Sequence, residues 1–164
     1  MSVALAMAAV VGAGSAAATE PDEGGVARTV LHTRGDTEPW VASSVTGECR
    51  HQLMVAYKIA LQEVRQSTSC AALFEDLGAD AEATLKSTLY TMSAQCTGGV
   101  AAYTAVGSRV TWLCPCFSRL SREEAAVIVV HEALHFAGMT EYPGDPDGPT
   151  SFEINRMVRR ACRF

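Results

Sequence analysis

Lysine is nearly missing from this chain. Lys58 and Lys86 are its two lysines, and arginine supplies the rest of the 13 basic residues, set against 18 acidic ones. The net charge is −5, and no run of basic residues is longer than Arg159–Arg160. Neutralising a phosphate backbone takes clustered cations, so the composition argues against a nucleic-acid partner. A long apolar run is also missing. The longest apolar stretch, "VALAMAAVV" near the start, is too short and too alanine-rich for a stable membrane span. No sequence repeat is present, and no low-complexity segment follows the first 25 residues. No C-x-x-C pair occurs, since "CPC" at 114–116 has one intervening residue; a structural zinc site built from cysteines is therefore not expected. The "DPDG" segment lacks the ligand spacing of a calcium loop.

What remains is a globular composition, 48% apolar and 19% charged over 164 residues. That is enough chain for one domain with its own core. The opening "MSVALAMAAVVGAGSAAATEPDEGG" reads as a secretory leader cut after Ala18, although no Lys or Arg precedes its apolar run. The expected organisation is a leader over 1–18, a polar arm over 19–48 and a folded domain over 49–164. The arm carries "RGD" at Arg34–Asp36, to which we attach no adhesion role. Cys49, Cys70, Cys96, Cys114, Cys116 and Cys162 make an even set. In a short exported chain such a set predicts three disulfides and a secreted, periplasmic or otherwise extracytoplasmic location. The sequence does not choose among the possible pairings.

Periodicity predicts several helices. "ECRHQLMVAYKIALQEVRQ" places Leu53, Met54, Tyr57, Leu61 and Val64 on one face. "TSCAALFEDLG" reads as a short helix stopped at Gly78, and Asp80 as the cap of a third helix running through "AEATLKSTLYTM" to Met92. Two β-rich runs, roughly 100–106 and 109–115, flank Gly107-Ser108 and predict a hairpin with a two-residue turn. Counting out from that turn brings Cys96 near Cys114 or Cys116. Ser121 and Glu124 form a capping-box pattern ahead of a mostly buried helix, and Gly138 is placed to stop it. After the turn "DPDGP", a last helix presents Ile154, Met157, Val158 and Ala161 on one face. The expected fold class is α+β, with several helices and a short sheet or hairpin packed on the helix that carries His131.

That helix contains "VIVVHEALHF". His131 and His135 are four residues apart, hence one turn apart on the same face, and can grip one ion. Glu132 is offset by one residue, so its carboxylate lies beside the ion, where a base for an attacking water belongs. Burying two histidines and a glutamate without a cation or other partners would cost several kcal/mol, on the order of 2–7 for each unsatisfied group.

"HEALHFAGMTE" resembles the zincin metallopeptidases, with the longer spacing H-E-x-x-H-x-x-G-x-x-E. The region from about Arg109 to Cys162 is similar to small exported bacterial zincin-like metallopeptidases through "VTWLCP", "HEALHFAG", "SFEINRMV" and the terminal Cys162. The resemblance implies a small zincin-like domain stapled by disulfides and a zinc ion on His131, His135 and one further ligand. Three candidates stand for that ligand. Glu141 has the metzincin spacing, where the family usually has His or Asp. Glu153 begins the next helix, as the gluzincin ligand does, but Thr150 with Glu153 is itself a capping box. Asp145 and Asp147 occupy the aspzincin position, but "GDPDGP" is a turn on its composition alone.

The implied activity is hydrolysis of a peptide or protein substrate by zinc-activated water. Glu132 would be the general base, and Tyr142 or Tyr103 an oxyanion donor. The hairpin ahead of the helix would pair with an extended substrate, as zincin edge strands do. Two other readings stay open from the residues. One is a non-enzymatic exported zinc- or partner-binding module; the other is a metal hydrolase of a non-peptide bond. Oligomeric state is not encoded in these patterns.

Overall fold

The computed structural model describes residues 37–96 and 98–164. The leader, most of the arm and the RGD tripeptide lie outside the described residues. From there the chain runs β1 (Trp40–Val41), α1 (Gly47–Gln66), α2 (Thr68–Glu75), α3 (Ala81–Ser87), β2 (Leu89–Met92), β3 (Ala102–Thr104), β4 (Val110–Leu113), a 3-10 turn (Pro115–Arg119), α4 (Arg122–Phe136) and α5 (Ser151–Cys162). The described residues thus form a mixed α+β unit of five helices and one four-stranded sheet. None of these helices is long and apolar enough to cross a membrane.

The core forms between α1 and α4. Leu53, Ala56, Tyr57, Ala60, Leu61 and Val64 make the buried stripe of α1, at the spacing that keeps side chains on one helical face. Helix α4 is buried on nearly every side from Ala125 to His135. It starts where expected. Ser121 accepts from the Glu124 N–H while the Glu124 carboxylate accepts from the Ser121 N–H, a reciprocal cap typically worth about 1 kcal/mol.

The sheet has the order β1-β2-β4-β3, with β1, β2 and β4 parallel and β3 antiparallel to β4. Two expectations are corrected here. The polar arm does not run to residue 48, because Trp40–Val41 is already an edge strand and Val41 and Val45 are buried in the core. The third helix does not reach Met92. It stops at Ser87, and Leu89–Met92 is a strand held between β1 and β4. The segment "TLYTM" is β-branched and aromatic, which suits a half-buried pleated surface better than a helix.

The hairpin is shorter than expected, and its turn is shifted. Ser108 N–H donates to the Ala105 carbonyl at 2.8 Å, so Val106 and Gly107 are the central residues. Gly107 takes a φ of +76°, open to glycine at no steric cost. The register is the one counted from the sequence: Ala102, Tyr103 and Thr104 face Leu113, Trp112 and Thr111. Cys96 pairs with Cys114 at the open end, and Cys70 pairs with Cys162, tying α2 to the end of α5.

The third disulfide is not formed. Cys49 is a buried thiol, and the half-buried Cys116 donates from Sγ to the Val100 carbonyl at 2.9 Å. That thiol is engaged with the backbone of the loop before β3 instead of a second sulfur.

Candidate metal centre

His131 and His135 lie on the face of α4 turned toward β3 and are buried, 3% and 7% exposed. Beyond them the helix ends in a full Schellman motif. Met139 N–H donates to the Leu134 carbonyl and Gly138 N–H to the His135 carbonyl, with Gly138 at φ +111°. This is the left-handed stop that glycine makes cheap. The reversal turns the Met139 carbonyl back onto His135 and returns Glu141 to the helix face.

Three ligand atoms converge as a result. His131 Nε2 and His135 Nε2 are 2.9 Å apart. Glu141 Oε2 lies 3.1 Å from the first and 3.2 Å from the second. The outer nitrogen of each ring is occupied. His135 Nδ1–H donates to the Met139 carbonyl at 2.8 Å, and His131 Nδ1–H donates to Asn155 Oδ1 at 2.8 Å. A neutral imidazole carries one proton. With that proton on Nδ1 in both rings, both Nε2 atoms present lone pairs to each other and to a carboxylate. Burial, ahead of the neighbouring His135 charge, lowers the His131 pKa, while Asn155 opposes the shift. Three acceptors pressed together without a donor repel one another, and a cation placed among them removes the conflict. Two histidines and a carboxylate are a donor set that suits zinc and several other divalent ions. The His131–His135–Glu141 group can therefore hold a metal ion, with Asn155 and the Met139 carbonyl fixing how the rings present themselves.

Glu132 is 4% exposed, and its Oε2 has no hydrogen-bond partner among the described residues. Burial pushes its carboxyl up to about 8, the Thr104 hydroxyl bond opposes this, and the Glu141 charge adds to the rise. A bound cation nearby would favour the ionised form.

A cleft of about 480 Å³ opens over these groups. The hairpin lines it with Val100, Tyr103, Thr104 and Val106, and Tyr142–Gly144 form the opposite side. Four of the exposed large apolar side chains, Val100, Tyr103, Val106 and Tyr142, gather at its rim.

The other proposed ligands are elsewhere. Glu153 is the exposed capping-box residue of α5, accepting from Thr150 N–H and Oγ1 at 2.9 Å each. Asp145 accepts from Thr140 Oγ1 and Asp147 N–H, so that pair serves the turn. The Tyr103 hydroxyl pairs with Ser93 at 2.9 Å while its ring stacks on Trp112; Tyr142 is the phenol left on the cleft wall. The sequence did not point to Asn155. Asn155 lies in "SFEINRMV" on the predicted helix, one position from the apolar Ile154, but nothing local marks its partner 24 residues away. Compared with known proteins, the chain matches no family model, no curated protein and no solved structure.

Proposed function

We propose that this chain is an exported zinc-dependent peptidase of zincin type. The observation that carries the reading is the convergence of His131 Nε2, His135 Nε2 and Glu141 Oε2 beside the buried carboxyl of Glu132, whose Oε2 has no hydrogen-bond partner. Zinc held there would supply a Lewis acid and lower the pKa of a water toward about 7. In this reading Glu132 would take a proton at Oε2, the oxygen with no partner, and later pass it to a leaving amine.

The edge strand supports a peptide as the substrate. Cys114 N–H donates to the Ala101 carbonyl, which makes residues 101 and 114 a hydrogen-bonded pair. By the alternation of antiparallel ladders, Tyr103 bonds to Trp112, while Ala102 and Thr104 turn their backbone groups to the open edge. Those groups border the cleft, where an extended chain can add as a further strand. The two disulfides fit an oxidising compartment.

The deciding experiment uses zinc-loaded protein and a broad peptide library. Wild type should cleave, and Glu132→Gln should keep its zinc while losing about 10²- to 10⁴-fold in rate. Fully loaded wild type that cleaves nothing would sink the peptidase reading and leave a zinc-binding module.

A further inference from the structure

Given the peptidase reading, on which this rests, we infer that the cleft takes an internal, apolar segment of an extended polypeptide. The chain is then an endopeptidase that selects against acidic sequences, and Val106 and Tyr142 are its specificity-determining residues.

The exposed large apolar side chains are not scattered. Val100, Tyr103, Val106 and Tyr142 all line the cleft, and Phe152, the most exposed at 74%, follows the cleft residue Ser151. Among the described residues these five make the whole set. Single exposed apolar residues are ordinary, but a set gathered round one cleft marks a binding surface. Val106 belongs to the hairpin wall and Tyr142 to the opposite one, so a substrate side chain finds apolar surface on each wall.

Charge in the cleft has one sign. The lining holds Glu132 and Glu141 and no Lys or Arg among the described residues, and Asp145 follows Gly144 on the Tyr142 side. An exopeptidase must hold a terminal charge as well as the scissile bond. A terminal carboxylate is held by cations or by a nest of backbone N–H groups, and the lining supplies no cation. A terminal amine is held by a carboxylate, and both carboxylates of the lining belong to the metal centre. Acidic substrate side chains would meet like charge there. What the edge of β3 offers is main chain. Ala102 and Thr104 turn their backbone groups outward, and such groups bond an extended chain whatever its side chains. Val100 and Val106 stand two residues before and two after β3. At about 3.3 Å per residue that edge spans at most about 20 Å, room for roughly six extended substrate residues.

The test uses zinc-loaded protein and short fluorogenic peptides. The reference peptide has both ends blocked and apolar residues on each side of the bond to be cut. In its partners those residues become Asp, or the ends are left free. Wild type should cut the blocked apolar peptide internally. Freeing the ends should change kcat/KM by less than about threefold, and Asp should lower it by about 10- to 100-fold, the scale on which a pocket discriminates side chains. Val106→Lys puts a cation on the hairpin wall and should narrow the apolar-to-Asp ratio by about tenfold, with zinc content unchanged. Tyr142→Ala should narrow it by slowing the apolar peptide, and Tyr142→Phe should keep it, which separates the ring from its hydroxyl. A second readout needs no turnover. Zinc-loaded Glu132→Gln should bind the blocked apolar peptide more tightly than the Asp peptide, and adding Val106→Lys should narrow that difference. Peptides cut only from a free end, equal cutting of the Asp peptide by wild type, or an unchanged ratio in Val106→Lys would each overturn the inference. An inactive wild type would defeat the peptidase reading instead, and the binding comparison would still decide whether the cleft prefers apolar chains.

Discussion

His131 Nε2 and His135 Nε2 stand 2.9 Å apart because both rings are locked from behind, one by Asn155 Oδ1 and the other by the Met139 carbonyl. Of these two supports only Asn155 is a side chain, so it can be removed cleanly. Asn155→Ala should free the His131 ring to rotate and to place its proton on Nε2. Loss of such a supporting partner typically costs about 10- to 100-fold in metal affinity. Competition against a chelating zinc dye measures this, with circular dichroism as the check on folding. Unchanged affinity would show that helix packing alone orients His131.

Glu141 and Glu153 should separate just as cleanly. Glu141→Ala removes a ligand atom and should weaken zinc far more than any neighbouring change. Glu153→Ala removes half of a capping box and should leave zinc in place while costing about 0.5–2 kcal/mol of stability. Zinc titration and urea unfolding on both variants give the answer. The reverse pattern would move the third ligand to α5.

Acid should reveal a small surface contribution far from the metal centre. Hydrogen bonds from Arg65, and then from Lys86, pull the Glu82 carboxyl down to about 2. A depressed carboxyl stabilises the fold above its ordinary pKa, and the contribution is lost as pH falls toward 2. Both ends of the Arg65 pair are more than a third exposed, so solvent screens it to at most about 1 kcal/mol. Glu82→Gln should be less stable than wild type near pH 6 by that small amount, and equal to it near pH 2. A difference that persists in acid would assign the effect to packing.

Much of the site could be read in the sequence because its signals are local. The spacing of His131, Glu132 and His135 needs only the pitch of a helix, and Gly138 announces the reversal that returns Glu141. The supports are not local. Asn155 reaches His131 across 24 residues. Strand β2 was misread for the same reason. Leu89–Met92 follows a helix without a breaker, and only pairing with β1 and β4 makes it a strand. The even cysteine count predicted pairing but could not register that the Cys116 thiol donates to the Val100 carbonyl.

The two bridges should contribute unequally to stability. Cys70–Cys162 closes 92 residues and Cys96–Cys114 closes 18. In the chain-entropy model these loops correspond to about 4.6 and about 3.2 kcal/mol. The long bridge joins α2 to the end of α5, so its loss should lower global stability. The short bridge pins the open end of the hairpin, so its loss should also loosen β3. Replacing Cys70 and Cys162 by alanine should therefore move the urea midpoint more than replacing Cys96 and Cys114. The second pair of changes should speed amide exchange at Tyr103, whose N–H lies in the β3–β4 ladder, before the whole molecule unfolds. In wild type, denaturing thiol titration should find two thiols, with Cys116 reacting first in the folded state. Burial, and then the neighbouring Cys116 charge, raises the pKa of Cys49 and slows its attack. Equal midpoints for the two double variants would mean that native-state packing, not loop length, governs what each bridge contributes.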